Sequence, residues 1–521
     1  MFKQMELTGT LAVQSPLHIG SASEGELVDA TLMRDGLQRI VIPGTSLTGA
    51  LRTQFDSPLW GHIAGGDEET SAASMITVFD AFTEQTPEIE VRTMNSIDRR
   101  TGGVAGHHLY AREYVLPGVT FRFRCLAEYT EDNTAEMEEL IQRIRHRLET
   151  HGIQVGKDKS KGAGFLQLEN AGLVRRSFDP QHLLRSLRGG EPVGDDTIAD
   201  ESGNVVSITI PFEREGALFL GEKRDGAAVQ IVPLTRMLPD GVHFLLPASS
   251  IKGVFRNRAE FIARTVTGTP VPDNFLDQVS QSGLVQVADL FGNASVTTPD
   301  GSTHPAVRGA LTFHDVVSVN SVDPVLYADI VDRTKDNRDG DPAETERADA
   351  HGINTCVEKI NAQWKRNETT KNDFLHVAWR NSVDRFSGNT VAGALFCTLE
   401  PHVTWKPMRL TLDMDRLTTL AHGDEDRVKA ACALLLFLLR DLVEGYLRFG
   451  VQTTRGSGGI LVDPETLKLS SLFSALAADA EKPEEPVSFR DLLFGGDYEN
   501  ARIEAATGWE SALATQEKVS K

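Results

Sequence analysis

The sequence predicts an α+β chain of two tandem ferredoxin-like domains with hairpin insertions. Three observations predict it. Four motifs occur twice in the same order, each copy opens on a strand of period two, and each closes on a helix that enters a glycine-rich turn. PGTSLTGALR at 43–52 returns as PASSIKGVFR at 247–256, and the upstream LHIG at 17–20 returns as LFLG at 218–221. NSIDR at 95–99 returns as NSVDR at 381–385, and SKGAG at 160–164 as TRGSG at 454–458.

The elements follow in order. Met5, Leu7, Leu11 and Val13 alternate with polar or small residues, as do Val206, Ile208, Ile210 and Phe212, which marks a half-buried strand at each start. Met137, Leu140, Ile141, Ile144 and Leu148 keep helical spacing, with Asn133 and Glu136 placed to cap the start and Gly152 to end the helix. In the second copy, 426–449 takes that place. Short strands, Phe165–Leu168 and Ile460–Val462, follow the glycine-rich turns. An open antiparallel sheet of the ferredoxin or RNA-recognition-motif kind accounts for this order.

LWG at 59–61 matches LFG at 290–292, and VFDAF at 78–82 matches FHDVV at 313–317. About 80 extra residues in the second copy then fall mainly at 318–375, a charged stretch expected to be a solvated excursion. The expected organisation is a first domain at 1–178, a linker at 179–203, a second domain at 204–470 and an acidic C-terminal tail at 471–521.

Composition narrows the function. The chain has 521 residues, with 53 Lys and Arg against 74 Asp and Glu, for a net charge of −21. Bulk acidity excludes a nonspecific nucleic-acid coat and leaves room for a local basic groove. Cys125, Cys356, Cys397 and Cys432 lie far apart without zinc spacing, so neither a disulfide framework nor a zinc site is expected. The N-terminus lacks the apolar stretch of a signal peptide, and the run Ala430–Leu439 is too short to cross a bilayer. A cytoplasmic protein without membrane contact is expected.

The repeated motifs carry phosphate-binding chemistry. Pro43 and Gly44 set a turn, Thr45 or Ser46 is placed to cap the following helix, and Arg52 adds charge. The second copy keeps Ser249 and Ser250 and adds Lys252 and Arg256. GKDKSKGAG at 156–164 concentrates Lys157, Lys159, Ser160 and Lys161 on a backbone that allows close approach, and its counterpart holds Arg455. Neither loop ends in the GK[ST] of a nucleotide-hydrolysing loop. NSIDRR and NSVDR set a carboxylate beside arginine (Arg99, Arg100, Arg385), and the glycine-rich stretch after the first reads as a projecting hairpin. His107 and His108 on it have no partner motif for acid–base catalysis.

Together the LHIG(S), IPGTSLTGALR, LWG, NSIDRRTGG and SKGAG segments, with their second-copy counterparts, resemble the RAMP superfamily, specifically backbone subunits of type III CRISPR effector complexes. The resemblance covers about 1–175 and 205–465 and suits two RAMP domains, each RRM-like, fused in one chain. It implies that the turns and glycine loops, including His18, Gly20 and Ser21, bind a guide RNA (crRNA), and that thumb hairpins interrupt its pairing with complementary target RNA. It implies further backbone, large and small effector subunits as partners. It also implies an aspartate, on the loop before the PG[TS]S motif, that supports cleavage of target RNA with Mg²⁺. Asp29 fits that position as catalytic residue and metal ligand, with Asp35 the runner-up in a turn and Glu24 and Glu26 as acidic neighbours. In the second copy Pro233 stands at the matching place and Asp225 is a weak reserve, so one cleavage site is expected, in the first domain. A noncatalytic guide-RNA scaffold and a guide-precursor processing endoribonuclease are the alternatives. An interaction module without RNA is the outside case.

Overall fold

The computed structural model describes residues 2–21, 28–62, 71–83, 86–178, 190–194, 204–223, 229–280, 284–297, 303–333, 342–368, 373–391, 396–469 and 487–519. They fall into two units, Met1–Gly203 and Asn204–Lys521. Glu24, Glu26, Asp225 and most of the expected linker lie outside the described residues.

In the first unit, β1 (Phe2–Val13) is central, antiparallel to β7 (Thr120–Thr130) on one side and β9 (Phe165–Phe178) on the other. β2 (Val41–Ile42), β3 (Ile76–Val78), β4 (Ala81–Phe82), β8 (Ile153–Gln154) and β10 (Glu191–Pro192) extend this sheet. Strict alternation buries Phe121, Phe123, Cys125, Ala127 and Tyr129 of β7 on one face. Helix α2 (Thr134–Thr150) covers that face with the expected apolar stripe, Met137, Leu140, Ile141, Ile144 and Leu148, all buried. Each such side chain stabilises the unit by roughly 1.5–3 kcal/mol. Asn133 makes no side-chain cap, contrary to expectation, because a short 3₁₀ turn at Glu131–Asn133 precedes the helix. Gly152, at φ +65°, ends it through its N–H to the Arg147 carbonyl. β5 (Ile89–Ile97) and β6 (Val104–Val115) form a separate two-stranded hairpin, paired from Ile89↔Val115 to Ile97↔Val104.

The second unit is also α+β. β11 (Val205–Ile210) opens it as expected, and α3 (Ala248–Thr267) follows the PASS turn. β12 (Leu311–Phe313) and β13 (Val316–Val322) lead into α4 (Pro324–Arg333) and α5 (Pro342–Glu368). A second hairpin, β14 (Leu375–Arg380) with β15 (Phe396–Pro401), precedes β16 (Met408–Asp413), which pairs with β11. Helix α6 (Glu425–Val443), capped by Asp424, runs to the glycine loop.

Two expectations are corrected here. Among its described residues, the stretch at 318–375 is in part packed and not simply a solvated excursion. Tyr327 and Ile330 of α4, and Ile353, Cys356, Val357 and Ile360 of α5, are buried in the core of this unit. Their i, i+3, i+4, i+7 spacing makes an apolar face that the surrounding charges conceal in the sequence. Nor is the C-terminus only a tail. α7 (Phe489–Phe494) and α8 (Glu499–Val519) bury Phe489, Leu492 and Trp509, with Trp509 edge-on to Phe437 of α6.

The start of α1 (Gly44–Gln54) and of α3 is built alike, and not as expected. Pro43 and Pro247 occupy the N-cap positions without a side-chain cap, so neither Thr45 nor Ser46 plays that part. The Gly44 N–H donates instead to Asp80 Oδ1 at 2.7 Å, and the Ala248 N–H to Asp315 Oδ1 at 2.7 Å. These are the aspartates of VFDAF and FHDVV, each supplying negative charge to a helix N-terminus. Asp315 also pairs with Arg236 at 2.5 Å, whose side chain is 6% exposed. Asp315→Ala should therefore cost about 3 kcal/mol, because it removes a cap together with the carboxylate facing a buried guanidinium. The exposed Asp80 in the same role should cost about 1 kcal/mol on replacement by alanine. Denaturant midpoints of the two variants check the difference.

Candidate nucleic-acid interface

The glycine-rich loops are copies at the level of single hydrogen bonds. In the first, Lys157 N–H donates to His18 O (3.1 Å), Gly164 N–H to Pro16 O (2.9 Å) and Val155 N–H to Gly164 O (2.9 Å). In the second, Val451 N–H donates to Phe219 O (3.0 Å), Gly458 N–H to Ala217 O (2.8 Å) and Phe449 N–H to Gly458 O (2.8 Å). Asp158 and Gln452 both adopt the left-handed conformation, at φ 59° and 58°, before a single 3₁₀ turn. Glycine is required where the backbones meet. A Cβ at Gly164 would stand 1.9 Å from the Val155 carbonyl oxygen, and one at Gly458 would stand 2.1 Å from that of Phe449. Each turn ends on a cation at the same place, Lys161 or Arg455.

In the first unit this loop closes over the LHIG turn. His18 is fully buried, and its Nδ1 donates to the Glu113 carbonyl at 2.8 Å. Its Nε2, left as an acceptor, has no hydrogen-bond partner among the described residues. Burial holds the imidazole below its usual pKa, and the nearby Arg112 and Lys157 charges act the same way. A Cβ at Gly20 would lie 3.0 Å from His18 Nε2 and 3.5 Å from Lys157 Nζ. Glycine at 20 thus leaves the buried imidazole uncrowded. Phe219, apolar and buried, replaces His18 in the second unit.

Asp158 ties loop to hairpin. It accepts from Arg112 and from the Tyr114 hydroxyl (2.6 Å) on β6, and pairs with Lys161 at 2.7 Å. Burial pushes its carboxyl up, but the Lys161 charge and hydrogen bond, with Tyr114 and Arg112, outweigh this and hold it well below the carboxylate range. Burial and the Asp158 charge push the Tyr114 hydroxyl up. Gln452 brings no such charge to the second loop, and neither its Nε2 nor its Oε1 has a hydrogen-bond partner among the described residues.

Asp29 is exposed and lies along the same hairpin strand. Its Oδ2 accepts from the Ala111 N–H at 2.7 Å, while Ala30 N–H donates to Ala111 O and Leu32 N–H to Glu113 Oε2. One carboxylate oxygen thus fixes the loop on an otherwise exposed residue. No cluster of three metal-ligating side chains occurs among the described residues. A lone carboxylate still fits Mg²⁺, which keeps most of its waters and takes substrate phosphate oxygens as ligands. Asp35 is held within its turn by the N–H groups of Leu37 and Arg39. Pro233 lies on a strand, Ile231–Pro233.

The remaining candidates are dispersed. Ser21 shares a hydrogen bond with Thr31 at 2.8 Å. Thr45 is exposed, and Ser46, Ser249 and Ser250 are half-buried on first helical turns. Lys159 and Ser160 lie half-buried in the loop. Arg52 is exposed and donates to the Gly61 carbonyl, whereas Lys252 donates to that of Phe291. Arg256 pairs with the buried Glu260 at 2.8 Å. Arg455 stacks over Phe396 at 5.5 Å. His107 and His108 lie on β6, their side chains outside the described set. The carboxylates of NSIDR and NSVDR are turn caps: Asp98 Oδ1 accepts from Arg100 and Thr101 N–H, and Asp384 Oδ1 from Phe386 and Ser387 N–H. Arg99, Arg100 and Arg385 therefore sit at hairpin tips. In the first unit the ladder puts that tip about 25 Å from the hairpin base. Sequence reasoning missed Asp80, Asp315 and Asp158. The first two stood in matched motifs, whereas no pattern announced the third.

No curated protein matches the chain. Among solved structures, a chain of the type III-B Cmr-beta apo-state cryo-EM structure is similar at 16% identity and a TM-score of 0.26, over 32% of this chain and 96% of that one. No helix among the described residues is long and apolar enough to cross a membrane. The RAMP superfamily model matches residues 10–167 and 237–461, well over half of the sequence and one stretch in each unit. With one stretch taking in PGTSLTGALR and the first glycine loop and the other PASSIKGVFR and the second, the chain belongs to the RAMP superfamily.

Proposed function

We propose that this chain is a guide-RNA-binding backbone subunit of a type III CRISPR ribonucleoprotein, in which both units hold RNA and the first cuts complementary RNA through Asp29. The observation that carries the reading is the glycine loop repeated bond for bond, with a cation at the same turn in each copy. Close backbone approach beside Lys157, Lys161 and Arg455 suits a sugar-phosphate chain read without regard to sequence.

RNA brings its own nucleophile, so the protein must orient the 2′-hydroxyl in line with the scissile phosphate and accommodate the charge that develops. The hairpin separates neighbouring nucleotides, and the exposed Asp29, fixed on the hairpin strand, would accept the proton or would be the protein ligand of a hydrated Mg²⁺. When bound, that ion supplies charge neutralisation at the phosphate. The second unit is a scaffold for RNA, because Pro233 stands where the aspartate would be. The other subunits of such a complex, and complementary RNA, are the partners this reading requires.

Salt-dependent binding of single-stranded RNA to the full-length chain tests the reading. Lys157→Ala and Arg455→Ala should each flatten the slope of log K against log salt by about 0.7, equally for unrelated sequences. In the assembled complex, complementary RNA should be cut only with Mg²⁺ present. Absence of RNA binding by the parent chain counts against the whole reading, and binding without a cut leaves only the scaffold.

A further inference from the structure

The helices of the second unit carry an aromatic ledge that the first unit lacks. On α3, Arg258 and Phe261 stand one turn apart, and Tyr446 follows the end of α6. The Arg258 guanidinium lies over both rings, 4.7 Å from the centre of Phe261 and 5.2 Å from that of Tyr446. Its Nε donates to Asp441 Oδ2 at 2.6 Å, and Arg440 Nη2 donates to Asp441 Oδ1 at 2.6 Å. Asp441 is fully buried, so the cation that joins the rings is held by a fixed partner. Gly445, at φ 77°, closes α6, and the Tyr446 N–H donates to the Asp441 carbonyl at 2.9 Å, which fixes the backbone presenting that ring. Both rings are nevertheless in water, Phe261 56% exposed and Tyr446 61%. Counted from the repeated motifs, the first unit has Gln54, Ser57 and Gly152 at the places of Arg258, Phe261 and Tyr446. Helix α1 has 11 residues against 20 in α3, so the turn that carries Phe261 has no counterpart there.

We propose that this ledge docks an amphipathic segment of a partner protein, with apolar side chains on the rings and a carboxylate beside Arg440 or Arg448. The inference stands apart from the RNA-binding reading, because the ledge belongs to the second unit alone and not to the shared loops. Tyr, Phe and Arg are enriched where proteins meet, and side chains already held in place lose little freedom when covered. Charge decides between a protein and a nucleic acid. Three arginines, Arg258, Arg440 and Arg448, stand with two carboxylates, the buried Asp441 and the exposed Glu444. Arg258 and Arg440 share Asp441, so the local excess of positive charge matches one carboxylate and falls short of what a run of phosphates requires. Arg258 also covers one face of each ring, where a base would need it open.

A photo-reactive benzoylphenylalanine placed at Tyr446 in the assembled complex tests the occupant. It should cross-link to a different polypeptide, at an apolar peptide beside an Asp or Glu. Tyr446→Ala and Phe261→Ala should each weaken retention of that polypeptide roughly 5- to 30-fold, the range for truncating an interface anchor. Arg448→Glu should weaken it as well, through charge reversal at an exposed position. Thermal unfolding and RNA affinity of these variants should stay close to the parent values, since the three side chains are exposed. A cross-link to RNA, to this chain's own residues or to a second copy overturns the proposal, as does no cross-link from an intact complex. Retention at the parent level by the double variant Phe261→Ala with Tyr446→Ala overturns it too. Whether the parent chain binds RNA is read separately, so a failure of the RNA-binding reading leaves this test standing.

Discussion

Asp29→Ala is expected to lower cutting of complementary RNA by about 10²- to 10⁴-fold, the range for removing a positioned acid–base group. RNA affinity should stay within about twofold, since an exposed loop residue contributes little to stability elsewhere. The hydrogen bond from Ala111 N–H allows a sharper version of the experiment. Asp29→Asn keeps an oxygen to accept that bond, so the loop stays laid along β6 while the charge is lost. If charge is what the reaction uses, the asparagine variant should be as inactive as the alanine one. Full cutting by asparagine with loss by alanine would reduce Asp29 to a residue that places the loop, and cutting by both at the parent rate would remove it from the site. Single-turnover rates at saturating Mg²⁺, with RNA retention measured in parallel, decide among these outcomes.

The duplication was legible because each repeated motif fills a backbone requirement that few residues meet. Gly164 and Gly458 must lack a Cβ, and Asp98 and Asp384 must cap a turn, so the letters survive in register. The opening strands and α2 were legible for a different reason, since one face of each is apolar at the right period. Local charge misled the reading in two places. The helices α4 and α5 hide a buried face among Asp, Glu, Lys and Arg, and the acidic C-terminal stretch hides Phe489, Leu492 and Trp509. Net charge reports the solvated side of a helix and says nothing of the other. The helix starts misled by proximity: Thr45 and Ser46 stand where a cap is common, whereas the cap arrives from Asp80, 36 residues on. Likewise Arg256, read as a phosphate contact, has a buried Glu260 one turn away. Long-range partners of this kind are set by the tertiary fold.

Asp158 is the case where that dependence has the largest effect on stability. Its side chain is 10% exposed and faces Arg112, Tyr114 and Lys161. Asp158→Asn should destabilise the first unit by about 3–5 kcal/mol at neutral pH, because removing the carboxylate leaves Arg112, 15% exposed, desolvated opposite a neutral amide. The pH dependence gives this loss a signature. A carboxyl held below its unfolded value of about 3.9 stabilises the fold fully above that value, and the contribution fades as pH falls through it toward the folded pKa. The gap between parent and variant should therefore be constant from about pH 6 to 8 and shrink below about pH 4. A gap that stayed constant on acidification would mean that asparagine fails through lost hydrogen bonds and not on charge, since it takes the left-handed backbone as readily as aspartate. The same substitution frees β6 from the loop, and β6 carries the Ala111 N–H that holds Asp29. Cutting should then fall further than RNA affinity does, since Lys157 on the loop survives while the carboxylate loses its fixed strand.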